Sequence, residues 1–266
     1  MSTKPIIEKW YKALQFPAEY DAAFYEALDS IQIPADTTLE GYDLHSRDGK
    51  RNLLAFLYLC EDVAQKAQAR GIPQEVLIDT LKDLVIWTEN YTQMKGTLFL
   101  GELDWLKITM EGTMFRLGRL QFRMAKAYRD IPEAGIAKGD NVMEIHIPRG
   151  SKLDIGECEK SLAWAKEFFA RHFPEFTYTC FTCNSWLLDD TLKEYLPETS
   201  NIIRFGNMFT KVFSRDLNCL LSSIFPADTT EENLPNAVCT SSFAQRIKDA
   251  VLSGKQFHMT LGFIAK

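Results

Sequence analysis

The chain carries two hydrophobic patterns that change over near Gly112. Before that point apolar residues recur at three- and four-residue spacing. Glu8 to Leu14 places Trp10, Tyr11 and Leu14 on one face, and Glu19 to Ser30 does the same with Tyr20, Phe24 and Leu28. Asn52 to Arg70 predicts a long helix closed by Gly71, and Pro73 opens the next helix in its favoured first turn. Leu77, Leu81, Leu84, Thr88 and Tyr91 form the buried stripe of that next helix, and a further helix is predicted over Leu98 to Thr109. Pro34 to Arg51 reads as a polar loop.

After Gly112 the period shortens to two. Leu120, Phe122 and Met124 alternate with Arg119, Gln121 and Arg123, which predicts a strand over Met114 to Tyr128. Pro132, Gly135 and Gly139 make the turn to a second strand at Val142. There Met143, Ile145 and Ile147 alternate with Glu144 and His146, until Pro148 and Gly150 stop it. A polar loop, Ser151 to Gly156, leads into an amphipathic helix from Glu157 to His172. Next come a strand over Phe176 to Cys183, a short helix over Thr191 to Leu196 and a strand region over Ile202 to Phe213. A helix over Ser242 to Ser253, capped by Gly254, precedes a last strand in which Phe257, Met259, Leu261 and Phe263 alternate. This order predicts an α/β (α+β) architecture: a helical N-terminal domain, 1–112, packed on a mixed sheet flanked by helices, 113–266. The change at the boundary is compositional, with no linker, so the two parts are expected to pack together.

Composition narrows the function. The 266 residues are 46% hydrophobic and 12% aromatic, enough for a real core, and the net charge of -6 argues against nucleic-acid binding. The longest apolar run, Asn52 to Cys60, is too short to span a bilayer, and the N-terminus does not read as a signal peptide. A cytoplasmic protein without a membrane partner is therefore expected. Cys180 and Cys183 have the spacing of a metal or redox pair, but no second pair exists and no helix directly follows Cys180, so core thiols and no metal are expected.

The chemistry is expected around the strand at Val142. A strand, a polar turn and a helix N-terminus make a common anion-binding geometry, and the same strand offers Glu144 and His146 on one face. Further along, Phe115-Arg-Leu-Gly-Arg-Leu-Gln-Phe122, Glu144-Ile-His-Ile-Pro148 with Gly150, Asn184-Ser-Trp-Leu-Leu-Asp189 and Ser200-Asn-Ile-Ile-Arg-Phe205 form a set. With these residues the second half resembles the GCN5-related N-acetyltransferases (GNAT), and more narrowly the bacterial acyltransferase-domain proteins with a helical N-terminal domain and a GNAT-like C-terminal domain. The resemblance implies transfer of an acyl group from acetyl-CoA or another acyl-CoA to an amine of a small molecule or peptide. It implies that Ile145 and Ile147 lie along the donor's pantetheine arm, with Arg149, Gly150, Ser151, Lys152 and Gly156 around its pyrophosphate. The chain departs from the family's pyrophosphate pattern, Arg/Gln-x-x-Gly-x-Gly/Ala. Ser151, Asp154 and Gly156 stand at those three places, and only the last matches. Asp154 is placed to cap the following helix, with Glu157 as its box partner. The family's tyrosine acid has no clear counterpart, because Tyr195 lies too far from Asn184.

Acyl transfer to an amine needs a base, an oxyanion donor and an acid for the leaving thiolate. His146 is the expected base because an imidazole titrates near neutral pH, with Glu144 sharing that role and Ser185 as a hydroxyl donor. Asn184, Trp186 and His258 are expected on the acceptor side. Arg119, Gln121 and Arg123 read as a solvated strand face. The altered loop supports an alternative: a catalytically silent protein that kept the fold and lost coenzyme A binding. A cysteine-dependent hydrolase using Cys183 ranks third, and assembly as a homodimer is left open.

Overall fold

The computed structural model describes residues 2–149, 151–216, 224–225, 229–239 and 241–266. The first half is helical: α1 Lys4–Leu14, α2 Asp21–Ser30, α3 Gly49–Ala69, α4 Gln74–Leu81, α5 Asp83–Lys95 and α6 Leu103–Met110. Its centre is α3, where Leu53, Leu54, Ala55, Phe56 and Leu57 are all fully buried. A helical stretch buried on every side has to be surrounded, and α1, α2, α4, α5 and α6 do this.

Two expectations about this half fail for identifiable reasons. Residues 98–102 are irregular, so α6 starts five residues later than expected. Asn52, fully buried, donates to the Leu100 carbonyl, and the Leu100 amide donates to Gly49. Those tertiary bonds tie up the main-chain groups that a helix through Leu100 would need. The helix opened by Pro73 is two helices, α4 and α5, broken at Lys82. The break turns the buried Asp83 inward, where it accepts a hydrogen bond from the Trp105 indole.

The second half is a six-stranded sheet of β1 Met114–Leu117, β2 Leu120–Lys126, β3 Asn141–His146, β4 Cys180–Ser185, β5 Thr210–Asp216 and β6 His258–Ala265, in the order β1-β2-β3-β4-β6-β5. Only β3 and β4 run parallel. The helix α7 Ile155–His172 connects them, as a crossover between parallel strands requires. The single strand expected over Met114 to Tyr128 is a hairpin. Gly118, at φ +73°, opens its two-residue turn, and a Cβ there would lie 3.0 Å from Ser161 Oγ. The strand expected from Phe176 starts at Cys180. The region expected as strand from Ile202 begins with the helix α8 Asn201–Gly206 before β5. A last helix, α9 Ser242–Leu252, precedes β6, with Gly254 at φ +84° behind it.

One core runs through both halves. It joins α1 to α6 with Phe115, Phe122, Met143, Ile145, Phe181 and the inner face of α7. The opposite face of the sheet carries a smaller apolar cluster, Val142, Cys180, Leu261 and Phe263, covered by Ala127, Ile131 and Ile136 from the β2–β3 connection. Glu144, His146, Thr182 and Asn184 stand on this second face, in register with Arg123 and Gln121 of β2.

Candidate active site

The site begins where the parallel pairing stops. β3 and β4 are matched at Met143–Phe181 and Glu144–Thr182 and at no later pair, so the strands part beyond Glu144. Between them opens a cleft of about 370 Å³, bounded by Ile145, His146 and Ile147 on one side and by Cys183, Asn184 and Ser185 on the other. Trp186, Leu187 and Met259 close one end, and Pro148, Arg149, Ser151 and Arg119 the other.

At that second end the loop between β3 and α7 is held in an unusual way. Arg119 leaves the hairpin turn, is buried, and donates from all three guanidinium nitrogens to main-chain carbonyls. Nη1 reaches Pro148 at 3.1 Å, Nη2 reaches Ser151 at 2.9 Å and Nε reaches Lys152 at 2.8 Å. With those carbonyls drawn inward, the amides of Ser151, Lys152, Leu153, Ile155 and Gly156 carry no hydrogen bond among the described residues. Asp154 caps α7 and occupies one amide, that of Glu157, at 3.1 Å. The box is half formed, because the Glu157 carboxylate pairs with Lys160 instead. Open amides at a helix start, beside a buried guanidinium, have the geometry and charge to bind an anion. Burial works against the charge of Arg119 and lowers its pKa, yet a guanidinium keeps its proton at any ordinary pH. Arg119 has no carboxylate partner among the described residues.

A second cavity, of about 230 Å³, lies on the other side of the parting strands. Arg123, Tyr128, Arg129, Glu144, Thr182 and Leu261 are among its walls. Ile145, His146 and Asn184 line both cavities, so the two spaces meet there. The His146 ring packs edge-on against Trp105 of α6, with centroids 4.9 Å apart. Its Nε2 is buried without a hydrogen bond and lies 3.6 Å from Glu144 Oε2. Arg123 Nη1 approaches the same oxygen at 3.3 Å. Burial alone would raise the Glu144 pKa. The close approach of His146, then that of Arg123, outweighs it and holds the carboxyl below the usual range.

Residues 5–112 match the N-acyltransferase N-terminal domain, and residues 114–264 match the GNAT-like C-terminal domain. The chain belongs to this acyltransferase family. Among curated proteins none matches. Solved structures that resemble it include an acyltransferase in complex with decanoyl-CoA and teicoplanin, at TM-score 0.79 and 24% identity. The same acyltransferase type in complex with CoA and 10C-teicoplanin gives 0.80 at 24% identity, and an acyltransferase mutant in complex with octanoyl-CoA gives 0.77 at 24%. Each comparison covers 97% of this chain and 87% of the other. At that identity the likeness speaks for the fold.

Within the GNAT-like half, most residues singled out from sequence come together. Glu144, His146, Asn184, Ser185 and Trp186 line the cavities with Ile145 and Ile147. Ser185 Oγ accepts from the Leu187 amide, which leaves its proton to donate, and Trp186 stacks on Phe243. Arg149 lies over the Trp87 ring of α5, at the seam between the halves. Ser151, Lys152 and Gly156 are exposed around the loop, and Gly150 lies outside the described residues. His258 is not brought to either cavity. Its amide and Nδ1 face Asp189 Oδ2 at 2.6 and 3.3 Å, which fixes the start of β6. The expectation of a solvated face fails for Arg119 and Gln121, which are buried.

Sequence reasoning missed Asp83, Trp105, Tyr128 and Arg129. Trp105 and Asp83 belong to the helical half, and the fold alone puts them behind His146. Arg119 had one readable signal, a basic residue beside the turn glycine Gly118. Cys180 and Cys183 are both buried, and burial pushes the Cys183 thiol up to about 12, with Glu144 adding to the effect. Such a thiol is a poor nucleophile, which removes the basis for a cysteine mechanism. No group of three or more metal-ligating side chains occurs among the described residues, and no helix there is long and apolar enough to cross a membrane.

Proposed function

We propose that this protein transfers an acyl group from acyl-coenzyme A to an amine by direct attack within a ternary complex. The observation that carries the reading is the meeting of two cavities at His146, one ending in open amides and the other in charged side chains. The first suits a thioester donor: parted strands for its arm, and the amides of 151–156 with Arg119 behind them for its phosphates. The second suits the acceptor.

In this reading the His146 imidazole takes the proton that the amine gives up as its nitrogen bonds the thioester carbonyl carbon. Glu144, held ionised, stabilises the imidazolium that results. Asn184 is positioned to donate to the carbonyl oxygen as it becomes an oxyanion. The carbon–sulfur bond breaks, and Ser185 donates a hydrogen bond to the departing thiolate, which takes up the proton that the imidazolium gives back, so that His146 returns to its neutral form. The products are an amide and the free thiol of coenzyme A, with no metal in any step. Ile145, Ile147, Ser151, Lys152 and Gly156 contact the donor, and Arg149 guards the loop at the seam.

The second reading, a silent binding protein, draws on the capping of α7 by Asp154, which sets a carboxylate beside the phosphate surface. Thermal melting with coenzyme A separates the two. At about 100 times its dissociation constant a ligand of the folded state adds about 2.7 kcal/mol, which raises Tm by several degrees. No shift at millimolar coenzyme A favours the silent reading. With donor binding established, His146→Ala lowers kcat by about 10²–10⁴ and leaves donor affinity within about twofold. Full turnover in that variant removes His146 from the chemistry.

A further inference from the structure

The acceptor cavity is equipped for more than an amine. Its charged walls are Arg123, Arg129 and a single carboxylate, Glu144. Arg123 is already engaged with Glu144. Arg129 has no ion pair or hydrogen bond among the described residues, and its guanidinium carbon sits 3.6 Å from the centroid of the Phe213 ring. Stacking fixes the plane of a guanidinium and leaves its edge of N–H donors open. Arg215 stands on the same sheet face, since Phe213 and Arg215 of β5 are in register with Leu261 and Met259. The charges of Arg129 and Arg215 both act on the Tyr128 phenol at the mouth of the cavity. A chain with net charge -6 has therefore gathered positive charge around one small space.

This arrangement selects by charge. A simple ammonium ion entering the cavity meets one carboxylate and a surplus of guanidinium. An acceptor that also carries an anionic group cancels that surplus, and a carboxylate matches the two-pronged edge of Arg129. The same positive surroundings favour the neutral form of the bound amine, which is the form that attacks. The cavity is smaller than the roughly 300–1,000 Å³ of sites that hold drug-sized ligands, and from Val142 to His146 its strand wall spans about 13 Å. Those dimensions suit a compact molecule with its two ends apart.

From this, and resting on the acyl-transfer reading, we propose that the acceptor is an amino acid or short peptide with a free carboxylate, held by Arg129 and Tyr128 while its amine faces His146 and Glu144.

The experiment compares acceptors that differ only at that group: free amino acids and dipeptides against their C-terminal amides. Thiol release from acetyl-coenzyme A gives the rates, and melting of the protein with each acceptor alone gives binding. The acids are expected to be used with kcat/KM at least tenfold above their amides and to raise Tm more. Arg129→Gln brings the ratio of acid to amide down towards one, chiefly through KM for the acid, while the donor KM stays within about twofold. Arg129→Lys keeps the charge without the fork and retains part of the discrimination. Acids and amides that are used equally and shift Tm equally overturn the proposal. If coenzyme A fails to bind, the acyl-transfer reading falls, and the melting of the free protein with acids against amides still decides whether Arg129 holds a carboxylate.

Discussion

The two cavities that meet at His146 are made of different materials. The cleft between β3 and β4 ends in a loop with open main-chain amides, where one buried side chain, Arg119, binds three carbonyls. The cavity on the other side is lined by residues of β2, β3, β4, β6 and the β2–β3 connection, and it ends in charged side chains, two of them arginines. A surface of main-chain amides needs a backbone shape more than particular residues. It tolerates Ser151 and Asp154 where the family pattern has other residues, provided something holds the carbonyls away. A surface of side chains has no such tolerance, and its choice of ligand changes with each substitution. On the proposed reading the first cavity holds the donor and the second chooses the acceptor.

Substitution of Arg119 gives the sharpest test of that contrast. Arg119→Met removes three charge-assisted hydrogen bonds, each worth about 1.5–3 kcal/mol net, and frees the loop to turn its amides away. The donor KM should rise at least tenfold, with the acceptor KM within about twofold, in steady-state kinetics with each substrate varied in turn. Arg119→Lys retains the charge but reaches fewer carbonyls, so its donor KM should fall between the two. Equal damage to both KM values would mean that the loop serves both cavities and that the contrast is false.

Asp154 tests the same loop with a smaller effect. Asp154→Ala loses a helix cap worth about 1 kcal/mol, so Tm should drop by about 3 °C. It also releases the Glu157 amide and removes a negative charge, so the donor KM should fall by about two- to threefold. A rise in donor KM would show that the cap, and not Arg119, shapes the phosphate surface.

The smallest effect concerns Asp83, behind His146 and outside both walls. Burial raises its pKa above the ordinary 3.8, against the lowering effects of Gln121 and Trp105. A carboxyl raised in the folded state favours folding while protonated. That stabilisation is complete below its unfolded value and is lost as pH climbs from there towards the folded value. Asp83→Asn should therefore melt slightly higher than the parent at neutral pH, with the gap closing below about pH 4. A gap independent of pH would point to altered packing around Trp105.

Much of the fold was legible because the periodicities were clean. The stripe of α7 and the alternation of β3 depend on burial of one face, and each face is buried as the pattern required. The failures share a cause. Residues 98–102 and the break at Lys82 are set by contacts across tens of residues, such as Asn52 with Leu100 and Asp83 with Trp105. The hairpin at Gly118 was hidden because Arg119 continues the alternation of its neighbours while its side chain turns back to the loop. At the site, Glu144, His146 and Asn184 could be read because they lie on regular strands. Arg129 and Tyr128 could not, since a connection without periodicity carries no signal of where it folds.

By itself the sequence determined most of the elements, the capping of α7 by Asp154 and the pairing of a carboxylate and an imidazole on one strand face, because these depend on neighbours within a few residues. Only the tertiary structure decided that β3 and β4 part after Glu144, that Arg119 takes the loop carbonyls, that Trp105 reaches His146 from a distant helix, and that Arg129 joins the wall of the same cavity. Those are long-range outcomes of filling one core, and no local pattern encodes which distant side chains will meet there.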